Sequence, residues 1–193
     1  MARELEIKMS LTAEDQDEAA DWLLAQPGAS EGATNDLVNI YYDTLAGDLN
    51  RQAIALRVRQ SGNRFIQTLK TRGEFVDGAH HRQEWEWPLA DARLNLDLIA
   101  STPACEHINL AALRPMFETN FRRRTVMLRD DAAEIECALD RGHIVADGRT
   151  LALIELELEL KAGADQQLVQ WARRVADRVP LFVNLISKAE QGY

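Results

Sequence analysis

Charged residues alternate with apolar ones near the amino terminus of the chain. Glu4, Glu6 and Lys8 are separated by Leu5 and Ile7. Successive side chains of a β-strand point to opposite faces, so this spacing predicts a strand with two carboxylates and an ammonium group on one face. A single strand of this kind is typical of a sheet whose polar face meets solvent. Repetition of the pattern along the chain favours a binding site instead.

The same alternation returns in several later segments. Arg57 and Arg59 share one face of a predicted strand, and its turn at Ser61-Gly62-Asn63 predicts a hairpin with the next strand. The other charged side chains that fall on such faces are Lys70, Arg82, Glu84, Glu136, Asp140, Glu155, Glu157 and Glu159. Solvent faces usually mix Ser, Thr, Gln and Lys, whereas these rows are almost entirely Arg, Lys and Glu.

This mixture of residue types suits a metal-bound polyphosphate. Guanidinium and ammonium groups neutralise and orient phosphates, and Mg²⁺ takes carboxylate oxygens together with substrate phosphates and water. Buried charges are costly unless they are paired or bound to metal. A closed antiparallel barrel with inward-facing charges would provide carboxylates on one side and cations on the other.

Length and composition limit the class of protein. The chain has 193 residues, which is enough for one domain with a sizeable core, and its net charge of -9 argues against nonspecific binding to nucleic acid or anionic membranes. No apolar run is long enough to span a bilayer and no apolar signal region opens the chain, so a cytoplasmic location is expected. Cys105 and Cys137 have no metal-ligand spacing and are expected to pack in the core.

Strands with a few helices predict an α+β fold. The apolar stripe after Thr12 predicts a helix that runs to about Gln26 and stops at Pro27. Further predictions are a polar loop at 31–35, a loop at 74–78, short helical pieces at 94–113, a break at Pro115, strands at 121–128, 133–140 and 151–161, and a helix at 165–179.

Six motifs in fixed order carry a family resemblance. They are Glu4-x-Glu6-x-Lys8, Arg57-x-Arg59, Thr68-x-Lys70, Arg82-x-Glu84, Glu155-x-Glu157-x-Glu159 and Ser187-Lys188-Ala189. Together they resemble the CYTH superfamily, the triphosphate tunnel metalloenzymes. The segment 39–44 and the closing Gly192-Tyr193 are most similar to the bacterial inorganic triphosphatase branch.

The resemblance implies a particular architecture and chemistry. The implied fold is an eight-stranded antiparallel β-barrel tunnel with helices packed outside and a carboxy-terminal helix closing one end. Members of the superfamily hydrolyse or cyclise triphosphates with Mg²⁺ or Mn²⁺. A helical CHAD domain often follows in this branch, so residues 1–193 are expected to be a single CYTH domain, either stand-alone or part of a longer protein.

The resemblance also implies roles for individual residues. The expected metal ligands are Glu4, Glu6, Glu155 and Glu157, with the first pair facing the second across the tunnel. The expected phosphate ligands are Lys8, Arg57, Arg59, Lys70, Arg82, Arg123 and Lys188. Those expected to be catalytic are Glu4, Glu6, Lys8, Arg59 and Lys188. Supporting roles are expected for Glu84 and Glu136, which would orient the bases by ion pairing, for Glu159, which would reach the metal through water, and for Asp140.

Strand parity and the family pattern together predict which side chains face the tunnel and which face outward. Arg122 and Arg124 share one face and Arg123 has the other. A family pattern, in which phenylalanine precedes a basic residue by two positions, favours Arg123 as the one that faces the tunnel. Asp140 matches a family position, which would place it at the site. The alternative is that its side chain caps a turn before Gly142. Leu5, Ile7 and Met9 are expected to pack outward under helices.

The leading prediction is an enzyme that hydrolyses tripolyphosphate to pyrophosphate and phosphate. One alternative is another reaction on the same fold, either hydrolysis of thiamine or nucleoside triphosphates or a class IV-type adenylate cyclase reaction. Cyclisation needs a surface that recognises ribose and base, for which the sequence has no distinct signal. The other alternative is a non-catalytic polyphosphate-binding module, but complete carboxylate rows favour turnover because anion binding alone would not need them.

Overall fold

A computed structural model of the chain describes residues 2–71, 73–76 and 79–193, with side chains for all of these except 2–4, 74–76 and 79–82. The strands are β1 (Ala2–Ser10), β2 (Ala29–Asp43), β3 (Ala55–Ser61), β4 (Arg64–Lys70), β5 (Glu74–Val76), β6 (Ala79–Leu89), β7 (Arg114–Arg129), β8 (Ala133–Ala146), β9 (Arg149–Gly163) and β10 (Phe182–Val183). The α-helices are α1 (Ala13–Leu24), α2 (Asp48–Arg51), α3 (Leu96–Ala100), α4 (Asp165–Arg178) and α5 (Lys188–Gly192), and two 3-10 helices span Pro103–Cys105 and Leu110–Ala112.

Eight of the strands surround a tunnel. Neighbours along the sheet follow the order β1, β9, β8, β7, β2, β3, β4 and β6, and each pairing is antiparallel. β6 then pairs with β1, residues 80–84 against residues 2–6, which brings the two ends of the ring together. The short strands β5 and β10 extend the sheet beside β6 and β1. The predicted eight-stranded antiparallel barrel is therefore confirmed.

The largest apolar core lies outside the barrel, between its wall and two helices. Leu5, Ile7 and Met9 point away from the tunnel and are almost fully buried in this core. Leu168 and Val175 of α4 pack into the same cluster. Burial of each such side chain contributes about 1.5–3 kcal/mol, so the outward apolar row anchors the helices to the barrel. The outward direction predicted for the three β1 residues agrees with this packing.

A second outer core covers the opposite part of the wall. Leu56 of β3 and Leu69 of β4 face outward and pack with Ile99 of α3 and with Leu49 of α2. Cys105 lies in this cluster and Cys137 in the larger one, and both are buried free thiols. Because the outward side chains of β1, β3 and β4 are apolar and packed in these two cores, the charged side chains that alternate with them face the tunnel.

Helix α1 begins and ends close to its predicted bounds. The Thr12 hydroxyl accepts a hydrogen bond from the backbone N–H of Asp15 at 3.1 Å, which caps the first turn. The helix ends at Leu24, two residues before the predicted end at Gln26.

Within the described part of the chain, no helix combines the length and hydropathy needed to cross a membrane.

Three predictions of local structure are wrong. Residues 31–35 are part of β2 rather than a loop, and none of them is buried. Glu31 pairs with Arg124 on the outer face, whereas Asn35 lies opposite the inward-facing Arg123. Pro115 lies inside β7 at a register shift opposite Tyr42, a position where a strand tolerates proline. Glu74–Val76 pairs with β6 as β5, and the rest of the predicted loop, residues 77 and 78, lies outside the described residues.

Candidate active site

The tunnel encloses a cavity of about 240 Å³ whose lining is strongly polar. The lining side chains come from strand alternation, because each strand directs every second side chain into the tunnel. The predicted site residues that line the cavity are Glu6, Lys8, Arg57, Arg59, Lys70, Glu84, Arg123, Glu136, Glu157, Glu159 and Lys188. The side chains of the predicted residues Glu4 and Arg82 lie outside those that the structure describes.

A cluster of three carboxylates lies at one end of the tunnel. Asp140, Glu155 and Glu157 each present an oxygen, and the three oxygens lie within 4.8 Å of one another. Asp140 of β8 is directly opposite Glu155 of β9, and both side chains are essentially inaccessible to solvent. We refer to these three residues as the carboxylate cluster. Asp140 lies within β8, so a turn cap before Gly142 is not its role.

The first pair of expected metal ligands does not face the second across the tunnel. β1 is the direct neighbour of β9, with Glu6 opposite Glu159 and Lys8 opposite Glu157. The carboxylates of β1 and β9 therefore belong to one wall of the tunnel. The error arose because sequence alternation fixes which face a residue takes, whereas strand order decides which residues become neighbours.

Lys188 places its ammonium group in the middle of the carboxylate cluster. Its Nζ lies 2.9 Å from Asp140 Oδ2, 2.5 Å from Glu155 Oε2 and 2.5 Å from Glu157 Oε1. Burial would lower the pKa of Lys188, but Glu157, Asp140 and Glu155 outweigh it and raise this pKa above the usual lysine value. The ammonium group is therefore charged and shared by three carboxylates.

Helix α5 positions Lys188 and closes this end of the tunnel. Ser187 caps the helix, because its hydroxyl accepts from the N–H of Glu190 while the Glu190 carboxylate accepts from the N–H of Ser187. Gln191 donates to Glu155 Oε1 at 2.9 Å. A β-carbon on Gly192 would lie 2.2 Å from the Phe117 ring, so only glycine allows the helix to approach this closely. The carboxy-terminal plug expected from the resemblance is present.

Arg123 is the arginine of the triplet that enters the tunnel. It forms two hydrogen bonds of 2.7 Å with the Asp140 carboxylate and a third of 2.7 Å with Glu157 Oε2. Its neighbours Arg122 and Arg124 point outward and pair with Asp36 and Glu31. Burial opposes the charged form of Arg123, but Asp140 and Glu157 raise its pKa further above the usual arginine value.

The wall formed by β3 and β4 is basic. Arg57, Arg59 and Lys70 face the cavity, and Lys70 Nζ lies 3.3 Å from Glu84 Oε1. Arg59 Nε donates to Asn39 Oδ1 at 2.7 Å. Arg57 Nε is buried and has no hydrogen-bond partner among the residues that the structure describes. A half-buried guanidinium whose buried Nε donor is unused, beside a cavity, is suited to an anion that enters the cavity.

Like charges crowd together on this basic wall. Burial, Arg57 and Arg123 lower the pKa of Arg59 to about 9. Tyr41 shares the wall, and although burial would raise its pKa, the adjacent Arg57 and Arg59 lower it. An anion bound between these groups would relieve the repulsion, so the wall is electrostatically prepared for negative charge.

A second acidic row lies farther along the same wall as the carboxylate cluster. Glu6, Glu159 and Glu136 are neighbours on β1, β9 and β8. Lys161 Nζ lies 2.8 Å from Glu159 Oε1 and 3.9 Å from Glu136 Oε1. The sequence reasoning missed Lys161 and Tyr41, although Lys161 shares the parity of the β9 glutamates and so had a detectable signal.

Lys8 reaches the end of this wall where the carboxylate cluster lies. Its ammonium group donates to the backbone carbonyl of Ile186 and lies 3.9 Å from Glu155 Oε1. Burial lowers the pKa of Lys8, with Glu155 opposing this shift and Lys188 adding to it. Lys8 thus helps to hold the segment before α5 against the tunnel end.

The donor chemistry of the site fits a hard divalent cation. Asp140, Glu155 and Glu157 offer three closely spaced carboxylate oxygens, the ligand type that Mg²⁺ and Mn²⁺ prefer. The described part of the tunnel contributes no cysteine or histidine to its lining, so the donor set is oxygen-only. Carboxylates on one wall and guanidinium groups on the facing wall, one of them with an unused donor, can together accommodate a metal-bound polyanion.

Comparisons with known proteins agree with this arrangement. The model of the CYTH domain family matches residues 2–193. An inorganic triphosphatase from Haemophilus influenzae is 31% identical over 195 residues, an alignment that covers 100% of this chain and 55% of that protein. The chain thus spans about half the length of this curated relative.

Solved structures share the fold at low sequence identity. A candidate adenylyl cyclase from Hippeastrum, described as having a dominant triphosphatase activity, has a TM-score of 0.67 and 18% identity, with 96% of this chain and 92% of that one covered. A candidate adenylate cyclase from Bacillus halodurans has a TM-score of 0.64 and 15% identity, with 100% of both chains covered. Because the family model matches residues 2–193, the chain belongs to the CYTH domain family.

Proposed function

We propose that this chain is a hydrolase that cleaves tripolyphosphate to pyrophosphate and phosphate inside the tunnel, with Mg²⁺ or Mn²⁺ as cofactor. The observation that carries the proposal is the pair of facing walls: the carboxylate cluster is on one side, and the guanidinium groups of Arg57 and Arg59, with the unused Nε donor of Arg57, are on the other. The 31% identity to an inorganic triphosphatase supports the same substrate class. A cytoplasmic location is part of the proposal and rests on the sequence.

The basic wall is assigned to the substrate. Arg57, Arg59 and Lys70 would bind the triphosphate oxygens and stabilise the charge that develops on the transferred phosphoryl group. The unused Nε donor of Arg57 is the strongest single indication, because a polyphosphate oxygen would satisfy it. Lys8, Lys188 and Arg82 are further phosphate contacts in the proposal.

The acidic wall is assigned to the cation. Glu155, Glu157 and Asp140 would hold it in exchange for the Lys188 ammonium group, which would move from between them to the phosphates. Glu4 and Glu6 remain candidate ligands from β1. When bound, the cation supplies neutralisation of triphosphate oxygens and acidification of the attacking water. Before the cation binds, Arg123 and Lys188 balance the carboxylate charges and fix their orientation, since their ion pairs involve the same three carboxylates.

A substrate panel tests the proposal. Purified chain is incubated with tripolyphosphate, ATP or thiamine triphosphate, each with Mg²⁺, with Mn²⁺ or with a chelator, and the products are separated. We expect the fastest phosphate release from tripolyphosphate, with loss of release under chelation. Cyclic nucleotide as the main product, or tight metal-independent polyphosphate binding with no turnover, would refute it.

Glutamate variants give a second test. Glu6→Ala and Glu4→Ala should abolish metal-dependent phosphate release if β1 contributes ligands. The exposed Glu18, which pairs with Arg178 on the outer helices, offers a matched control in Glu18→Ala. Full activity in both β1 variants would remove these residues from the metal site.

A further inference from the structure

Gln16 lies on helix α1, outside the barrel, yet it reaches the backbone of the active site. Its side-chain Nε2 donates to the carbonyl oxygen of Asp140 at 2.8 Å and to the carbonyl oxygen of Glu155 at 2.9 Å. These are the two residues that face each other between β8 and β9, and their carboxylates form most of the carboxylate cluster. Gln16 is only 4% exposed.

The orientation of the Gln16 amide is fixed from its other side. Its Oε1 accepts a hydrogen bond from Arg141 Nε at 2.8 Å. A guanidinium can only donate, so the amide oxygen must face Arg141 and the amide nitrogen must face the two carbonyls. Arg141 is held in turn by the carbonyl of Ala13 at 2.8 Å and by Asp17 Oδ1 at 2.7 Å. Every polar atom of this side chain is therefore used.

We propose that Gln16 is a positioning residue for the metal site, which acts through the backbone of Asp140 and Glu155 from outside the barrel. The inference rests on the proposed function, since it assumes that these carboxylates bind a divalent cation. Metal affinity depends on the groups that orient the ligands as well as on the ligands themselves. By tying two neighbouring strands together at one level, Gln16 sets the separation of the two carboxylates.

A purely structural anchor of α1 is the competing explanation, and Gln67 provides its matched control. Gln67 is fully buried, its Nε2 donates to the Asn95 carbonyl at 3.0 Å and its Oε1 accepts from the Asn95 N–H at 2.8 Å. It thus anchors an outer segment to β4 with the same chemistry. Its hydrogen bonds involve neither Asp140 nor Glu155.

The test compares Gln16→Met and Gln67→Met with the wild-type chain. Mn²⁺ alone is titrated into each protein, and free Mn²⁺ is followed by its electron paramagnetic resonance signal, with thermal unfolding measured in parallel. Both variants should unfold at lower temperature. Only Gln16→Met should bind Mn²⁺ more weakly, by about tenfold.

The Mn²⁺ dependence of the rate and the Arg141→Met variant provide two further tests. The Mn²⁺ concentration for half-maximal rate should rise in Gln16→Met while the KM for tripolyphosphate stays constant. Arg141→Met, which frees the Gln16 amide without removing its donors, should weaken Mn²⁺ binding in the same direction even if Gln16→Met does not fold.

The outcomes separate this inference from the function on which it rests. Mn²⁺ binding by the wild-type chain with unchanged affinity in Gln16→Met, or in Arg141→Met should Gln16→Met not fold, would overturn the positioning role alone. An equal loss of affinity in Gln67→Met would also overturn it, since any buried anchor would then have the same effect. No Mn²⁺ binding by the wild-type chain would overturn the proposed metal function and the inference together.

Discussion

The inner and outer faces of the barrel use the same charged residue types in different ways. Arg122 and Arg123 are adjacent on β7, and each pairs with an aspartate. Arg122 and Asp36 on the outer face are 67% and 74% exposed, whereas Arg123 and Asp140 on the inner face are 18% and 0% exposed. The outer pair is a simple contact across two strands. The inner pair belongs to a network in which each carboxylate meets more than one cation.

This contrast shows that burial, rather than residue type, separates a solvated surface from a chemical site. Exposed ion pairs are screened by water and contribute little to stability. Buried charges must be compensated, which is why Lys188 and Arg123 converge on the carboxylate cluster. Burial would raise the pKa of Glu157, but Lys188 and Arg123 hold this pKa well below its usual range.

The largest expected effect is on stability, in Asp140→Asn. This change leaves the charges of Lys188 and Arg123 partly uncompensated inside the barrel. We expect the free energy of unfolding to fall by about 3–5 kcal/mol, as measured by urea denaturation. Asp36→Asn, which breaks the outer pair, should change it by less than about 1 kcal/mol. Similar losses in the two variants would contradict the contrast between the faces.

The next effect is on catalysis, in Arg57→Met. Removal of a buried cation that faces the cavity should lower kcat/KM for tripolyphosphate by about 100-fold, as measured by phosphate release. Arg122→Met is the matched control on the outer face and should keep wild-type activity. An Arg57→Met enzyme as active as the wild type would remove this residue from the substrate site.

A pH dependence should follow from Arg59. Its folded-state pKa of about 9 lies well below the ordinary arginine value because burial, Arg57 and Arg123 disfavour its charged form. Loss of this charge above pH 9 should raise the KM for tripolyphosphate by up to about tenfold per pH unit. Arg59→Met should lack this inflection, and a wild-type KM that stays flat through the same range would argue against the assignment.

Loss of the Arg59 proton weakens substrate binding as the pH rises, but it has the opposite effect on stability. The unfolded chain retains the Arg59 proton up to the ordinary arginine pKa, so from about pH 9 up to that value the unfolded state binds more protons. The contribution of Arg59 to the free energy of unfolding therefore rises with pH in that window. Comparison of urea denaturation in wild type and Arg59→Met through this range isolates it.

The smallest effect is expected for Arg124→Met. Arg124 pairs with Glu31, and the two side chains are 37% and 58% exposed. Loss of this pair should change the free energy of unfolding by less than about 1 kcal/mol and leave activity unchanged. A large loss of activity here would show that the outer face takes part in the chemistry.

Sequence periodicity predicted directions well because the side chains of a strand alternate strictly. Parity put Arg123 on the opposite face from Arg122 and Arg124, and Lys8 on the opposite face from Leu5. The family resemblance then assigned Arg123 and Lys8 to the tunnel side and Leu5 to the outside, and the structure agrees. The eight-stranded barrel was implied by the family resemblance that the ordered motifs carry. Residues 31–35 were misread as a loop, because an exposed strand face has the same polar composition as a loop.

Neighbour relationships were beyond the reach of sequence patterns. The position of Asp140 at the centre of the carboxylate cluster depends on the pairing of β8 with β9, and that of Lys188 depends on how α5 docks. The pairing of Glu6 with Glu159 likewise follows from strand order. None of these leaves a periodic signal in the chain, since each arises from contacts between distant segments.

The most direct test of the central claim is ³¹P NMR of tripolyphosphate mixed with the purified chain and Mg²⁺. The account predicts that the substrate signals disappear while pyrophosphate and orthophosphate form in equal amounts. An otherwise identical sample that contains Arg57→Met should convert tripolyphosphate far more slowly. Undiminished substrate signals with the wild-type chain, under conditions in which it is folded, would contradict the account.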